Sequence, residues 1–216
     1  MKIYFVRHGQ TEAAVLKNHQ TIDEPLTDLG RQQAEILAKR FQSIETEVIF
    51  TSPLARAFET AEIISKFNPK PLIQSELLKE RVWPSEMRGI NINDPSYKIV
   101  RQKLLEHGDD PSWHYTDEEN YFETLSRAKK ALVFLENSGH SSIIAVSHSH
   151  FLKQILAVIT HSTDLNNTQF EHFYRSISMQ HTSITAVEKA DGLWRIITLN
   201  DKIHFGEYSS ESEWPH

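Results

Sequence analysis

Short, unbroken apolar runs, each followed by a helical pattern, most restrict what this chain can fold into. Lys2–Val6 holds Ile, Tyr, Phe and Val, Glu47–Phe50 is a second run, and Ser142–Ser147 is the strongest, with Ile143, Ile144, Ala145 and Val146 in succession. Each is too short for a helix and rich in types that fit a buried pleated surface. Pro71–Gln74 is a weaker run of the same kind. Between them lie helical stripes. Leu29, Gln33, Ile36 and Arg40, flanked by Ala34, Leu37, Ala38 and Phe41, predict a helix over 28–42 with Thr27 as N-cap. Ser52 as cap and Pro53 in the first position predict another, carried by Ala57, Ala61, Ile63 and Ile64 to about Lys66. Phe122, Leu125, Ala128, Leu132 and Leu135 form a stripe from Glu118 to Asn137, with Gly139 as its stop, and Phe151, Leu152, Ile155, Leu156 and Ile159 form the next.

Strand alternating with helix over the first 160 residues implies a mostly parallel sheet covered on both faces. Thr182–Lys189 and Leu193–Leu199 flank the turn Ala190-Asp191-Gly192 and form an antiparallel pair. The expected fold is therefore a three-layer α/β/α arrangement, with a six-stranded sheet in which the C-terminal hairpin supplies one antiparallel strand. A single domain spans 1–216. Glu12–Glu24 shows no clean period and reads as a loop, and residues 91–120 read as an excursion, amphipathic around Tyr97–Leu105, that can act as a lid over a site. The tail from Glu207 to His216 is polar and reads as a loose end.

With 23 basic against 29 acidic residues and no basic block, the formal charge of −6 gives no electrostatic footprint for nucleic acid. The absence of cysteine excludes disulfides, a thiolate nucleophile and cysteine-ligated zinc, and suits a reducing cytoplasm. Ile3–Val6 is too short for a signal-peptide core, and no stretch reaches the ~18 apolar residues of a membrane span. A soluble, unprocessed cytoplasmic protein is expected.

Ligands of parallel sheets bind outside the carboxyl ends of the strands. To that edge the chain delivers Arg7 and His8 after its first strand, Arg56 in the first turn of the helix after its second, and His148 after Ser142–Ser147. Gly9 lets the chain turn and a ligand approach. Phe5–Thr11 alone is as well read as a strand and a turn with two surface residues; the arrival of Arg56 and His148 at the same edge favours a site. An ion pair with Glu59 or Glu62 is the competing reading for Arg56. Guanidinium groups match phosphate oxygens, and a neutral imidazole can attack phosphorus to give a phosphohistidine. No metal or other cofactor is required by that chemistry. The 12 histidines and His148-Ser149-His150 raise a metal hydrolase as another reading, but no nearby carboxylate completes a ligand set. His107, His114, His161, His172 and His181 read as surface or supporting groups.

Phe5-Val6-Arg7-His8-Gly9-Gln10-Thr11 resembles the Arg-His-Gly signature of the histidine phosphatase superfamily, in the branch that includes cofactor-dependent phosphoglycerate mutases and the phosphatase domain of fructose-2,6-bisphosphatase. Pro25-Leu26-Thr27-Asp28-Leu29-Gly30, Ser52-Pro53-Leu54-Ala55-Arg56-Ala57, Glu80, Val146-Ser147-His148 and Leu199-Asn200-Asp201 with His204 continue the resemblance in order. It implies that His8 accepts the phosphoryl group, that Arg7, Arg56 and His148 bind its oxygens, and that Glu80 protonates the leaving oxygen and then activates water. Glu86 is a rival for the last role. The chain departs from the family pattern at Ala14 and Ser149 and in a longer spacing from Glu80 to Gly89. The resemblance implies a metal-independent phosphomonoesterase acting on a small phosphorylated substrate. A phosphoglycerate-type mutase, for which Lys98, Arg101 and Lys103 would supply charge, and a non-catalytic phospho-ligand binder are the alternatives. Trp194 reads as core, Trp83 as core or site wall, and Trp113 as a residue able to touch the substrate.

Overall fold

A computed structural model describes residues 1–161 and 163–206; the polar tail at 207–216 lies outside the described residues. Six strands form one sheet: β1 (Lys2–Arg7), β2 (Val48–Thr51), β3 (Leu72–Gln74), β4 (Ser142–Ser147), β5 (Ile184–Ala190) and β6 (Leu193–Asp201), in the order β3-β2-β4-β1-β5-β6. β1 pairs in parallel with β4, as β2 does with β4 and β3, whereas β5 is antiparallel to both β1 and β6. β5 alone thus runs against the rest, as the hairpin predicts. Asp191 and Gly192 both sit at positive φ, 53° and 76°, the geometry of a tight turn matched to strand twist.

The apolar runs are unbroken because both faces of the sheet are covered. Ile3 and Phe5 of β1, Val48 and Phe50 of β2, and Ile143 and Ala145 of β4 face a core shared with α5 (Tyr121–Glu136) and α6 (Ser149–Thr160). Val6, Ile49, Ile144 and Val146 point the other way, against α2 (Asp28–Phe41) and α3 (Ala55–Phe67). Trp194 packs half-buried on the first core. No helix among the described residues is long and apolar enough to cross a membrane.

Several boundaries differ from the sequence reading, for local reasons. α3 begins at Ala55 with Leu54 as its N-cap, because the Ser52 hydroxyl sits at a strand end, where it meets His148 Nε2 at 2.8 Å and accepts from Leu54 N at 3.2 Å. α5 begins at Tyr121, where Asn120 and Glu123 form a reciprocal capping box. Within 12–24, Glu12–Leu16 makes a short helix, α1, closed by Lys17 at φ 57°. In the excursion, Pro95–Glu106 forms α4, started by Asp94. A further helix, α7 (Asn167–Ser176), has its own Asn166–Gln169 capping box and buries Phe170 against Tyr121 and Leu125.

Behind β1 two backbones touch. A Cβ on Gly30, in the first turn of α2, would lie 2.2 Å from the Gln10 oxygen, and one on Gly9 would lie 2.5 Å from the Gly30 oxygen. Thr27 N and Gln33 Oε1 fasten the same loop through Gln10 O and Gln10 N, both at 3.0 Å. Gly30→Ala must therefore displace main chain, and is expected to cost about 1–3 kcal/mol in urea unfolding; an unchanged midpoint would contradict this close approach.

Candidate functional site

Three strand ends converge through main-chain hydrogen bonds. His8 N donates to Ser147 O and Ser52 N to Val146 O, each at 3.0 Å, so the residues following β1, β2 and β4 sit side by side. The His8 and His148 ring centroids are 5.1 Å apart, and His148 Nε2 lies 2.8 Å from the Ser52 hydroxyl. Both rings are buried.

The protonation of His8 follows from its partners. Nδ1 is 2.7 Å from the Gly9 carbonyl, which can only accept, so the proton is on Nδ1 and the Nε2 lone pair is available. Burial first, then the charge of Arg56, the rings of His148 and His181, and Arg7, push this imidazole well below the ordinary histidine range. His148 is pushed down in the same way by burial, then by Arg56, Arg127 and Arg7.

Arg56 is buried in the first turn of α3 and donates to Thr21 O at 3.0 Å; Glu59, one of the two partners in the competing reading, instead binds Arg31 at 2.6 Å. Arg7 donates to Met179 O at 2.6 Å and to His181 Nε2 at 3.1 Å. Glu80 follows a 3-10 turn (Glu76–Leu78) and reaches the N-terminus of α6: one oxygen accepts from Arg81 N and Phe151 N, both at 2.9 Å, and the other from His150 N at 3.2 Å. Ser147 Oγ holds Leu78 O at 2.7 Å, and Arg127 of α5 donates to Lys79 O, also at 2.7 Å, which fixes the segment bearing Glu80.

An open cavity of about 460 Å³ rises from this cluster, with Arg7, Arg56, Glu80 and His181 among its walls and Ala14, Ile22, Trp83, Arg88, Ile92 and Tyr174 farther along. Trp83 is thus both a wall and part of a small core with Met87 and Val100. Glu86 is exposed, accepts from Thr116 at 3.0 Å and is absent from the cavity wall. Trp113 stacks on His107 at 4.7 Å, and neither it nor Lys98, Arg101 or Lys103 is among the wall residues.

The structure therefore gathers Arg7, His8, Arg56, Glu80 and His148 in one place. It sends His150 elsewhere: that ring is buried against Trp83, Phe170 and Tyr174, at 5.2, 5.4 and 5.0 Å. Among the described residues no three His, Asp or Glu side chains gather as a metal-ligand set. His107, His114, His161 and His172 are exposed, as expected, but His181 is buried beside His8, with ring centroids 5.5 Å apart. Its position depends on a turn far along the chain, and no periodicity marks it. Arg127 was equally hidden, since it reads as one polar position on an amphipathic helix.

The sequence pattern of the histidine phosphatase superfamily (branch 1) matches residues 3–202. A probable phosphatase of Schizosaccharomyces pombe is 27% identical over 94% of this chain and 95% of its own. A probable phosphoglycerate mutase of Proteus mirabilis is 29% identical over 90% of this chain and 87% of its own. The crystal structure of an Entamoeba histolytica phosphoserine phosphatase in complex with 3-phosphoglyceric acid superposes with a TM-score of 0.74 at 25% identity, covering 94% of this chain and 98% of that one.

The geometry makes the protonation of His8 measurable. In 1H–15N spectra of the free protein, His8 is expected to carry its proton on Nδ1 and to stay neutral across most of the roughly pH 5–8 window in which histidines titrate. A midpoint near the ordinary 6.5 would contradict the burial and charge described here.

Proposed function

Because the chain belongs to the histidine phosphatase superfamily (branch 1), we propose that it hydrolyses phosphate monoesters through a phosphohistidine formed on His8, without a metal ion. The observation that carries this reading is the neutral His8 ring, whose Nδ1 proton is held by Gly9 O and whose Nε2 is free to attack beside the half-buried Arg7 and the buried Arg56.

In the first step His8 Nε2 bonds to phosphorus, the ester P–O bond breaks, and the leaving oxygen takes a proton from Glu80. Arg7, Arg56 and His148 bear the charge on the transferring group's oxygens. The ring gains positive charge as it is phosphorylated, and the Nδ1–H bond to Gly9 O disperses it. In the second step Glu80 takes a proton from water as that oxygen bonds to phosphorus; the P–N bond breaks, phosphate leaves, and His8 is neutral again.

A phosphoglycerate-type mutase shares the first step and returns the phosphoryl group to a bound alcohol. The resemblance to a probable phosphoglycerate mutase favours that second reading. The open cavity, with Lys98, Arg101 and Lys103 not among its wall residues, favours hydrolysis. Phosphate release measured beside isomerisation of phosphoglycerate distinguishes the two.

His8→Ala is expected to lower turnover by at least about three orders of magnitude and to abolish an acid-labile phosphoenzyme; unchanged turnover would sink the proposal. Glu80→Gln should cost about 10²–10⁴-fold with alkyl phosphates and less in the first step with p-nitrophenyl phosphate, whose leaving group needs no proton. With that substrate, a burst of nitrophenol close to one per protein should precede a slow steady state. Activity is expected to persist in excess chelator; its loss, restored by a divalent cation, would overturn metal independence.

A further inference from the structure

The cluster holds a third buried imidazole, His181, that the phosphoryl-transfer scheme leaves without a task. Its two nitrogens are both engaged. Arg7 Nη2, which can only donate, lies 3.1 Å from His181 Nε2, and His8 O, which can only accept, lies 3.1 Å from His181 Nδ1. The ring is therefore neutral, with its proton on Nδ1. It presents an acceptor to the phosphate-facing arginine and a donor to the main chain of the residue that would be phosphorylated.

The turn around His181 is built to hold that pose. Met179 O takes the other Arg7 terminal nitrogen at 2.6 Å, and Thr182 N donates to Arg7 O at 2.9 Å, so one short segment grips Arg7 by side chain and main chain together. Thr182 sits at φ 54°, a left-handed conformation that a β-branched residue rarely adopts, and its hydroxyl bonds back to His181 O at 2.8 Å. Gln180 N is tied at 2.7 Å to Asn200 Oδ1 at the end of β6. Backbone strain of this kind persists only where the surroundings over-determine it.

We propose that His181 is a positioning residue: its neutral ring aims the Arg7 guanidinium at the incoming phosphoryl group and fixes the His8 main chain beneath it. This rests on the phosphatase reading for its kinetic arm and not for its binding arm. A histidine that merely filled space would need neither of these two hydrogen bonds, and a leucine of similar size would replace it without effect on Arg7.

The test compares wild type, His181→Leu and His181→Gln, each with Arg7 intact and with Arg7→Ala, by inorganic phosphate binding in calorimetry and by kcat/KM with p-nitrophenyl phosphate. His181→Leu is expected to weaken phosphate binding about tenfold and to lower kcat/KM by up to about 10²-fold, the scale of a misaligned reacting group. His181→Gln, whose side-chain oxygen can take the place of Nε2, is expected within about fivefold of wild type. With Arg7→Ala, replacing His181 by Leu should change phosphate binding by no more than about twofold, since the coupling partner is gone. Wild-type phosphate affinity in His181→Leu, equal impairment of the Gln variant, or the same loss of phosphate binding without Arg7 would each overturn the proposal. Should the Leu variant not fold, His181→Asn, whose shorter amide can place a donor where Nδ1 meets His8 O but does not extend its oxygen to the Nε2 position at Arg7, decides in the same way. If wild type releases phosphate from no ester, the function proposed above fails while the binding cycle still decides the role of His181.

Discussion

An imidazole with an available lone pair, kept uncharged beside Arg7 and the buried Arg56, is the condition on which the rest of this structure depends. The pair His8 Nδ1–Gly9 O supplies it. That carbonyl must hold its direction, and the fold constrains its residue from three sides. Gly9 N donates to Thr60 Oγ1 at 3.0 Å, Thr60 Oγ1 donates in turn to Arg56 O at 2.7 Å, and the glycine backbone lies flush against Gly30. The helix that brings in Arg56 thus also orients the base of the nucleophile. A side chain in either glycine would open that contact, so charge, tautomer and packing are set by the same few atoms.

The C-terminal hairpin completes the site from the far end of the sequence. Pairing β5 beside β1 brings Met179 and His181 to Arg7, and β6 then returns Asn200 to Gln180. One residue on, Asp201 accepts from Arg40 near the end of α2, and Arg40 also meets His204 at 3.2 Å. The Arg40 hydrogen bond holds the Asp201 carboxyl below its usual range. The ending Leu199-Asn200-Asp201 with His204 thereby has a physical content: it ties the antiparallel pair both to the turn that grips Arg7 and to the helix behind Gly30.

Most of the sheet was legible because its signals are local. Uninterrupted runs such as Ile143–Val146 mean burial on both faces, and Ser142–Ser147 forms a strand over the range its pattern implies. The gathering of Arg7, His8, Arg56 and His148 followed from one topological rule about parallel strand ends. What escaped was set by long-range or polar detail. Ser52 looks like a cap but serves His148, because a partner from another strand outcompetes its own helix. α7 hides its apolar residues among Asn, Thr, Gln and Glu, and only the Asn166–Gln169 pair marks its start. His181 depends on a residue with positive φ, and Arg127 on carbonyls about 50 residues away in sequence, so neither periodicity nor composition could locate their partners.

The Ser52 hydroxyl carries one more implication. It accepts from Leu54 N at 3.2 Å and faces His148 Nε2 at 2.8 Å, and a hydroxyl proton can rotate. Toward a neutral His148 it can donate; toward a charged one its second lone pair can accept. The ring can therefore gain a proton together with an incoming anion and keep the same neighbour in both states.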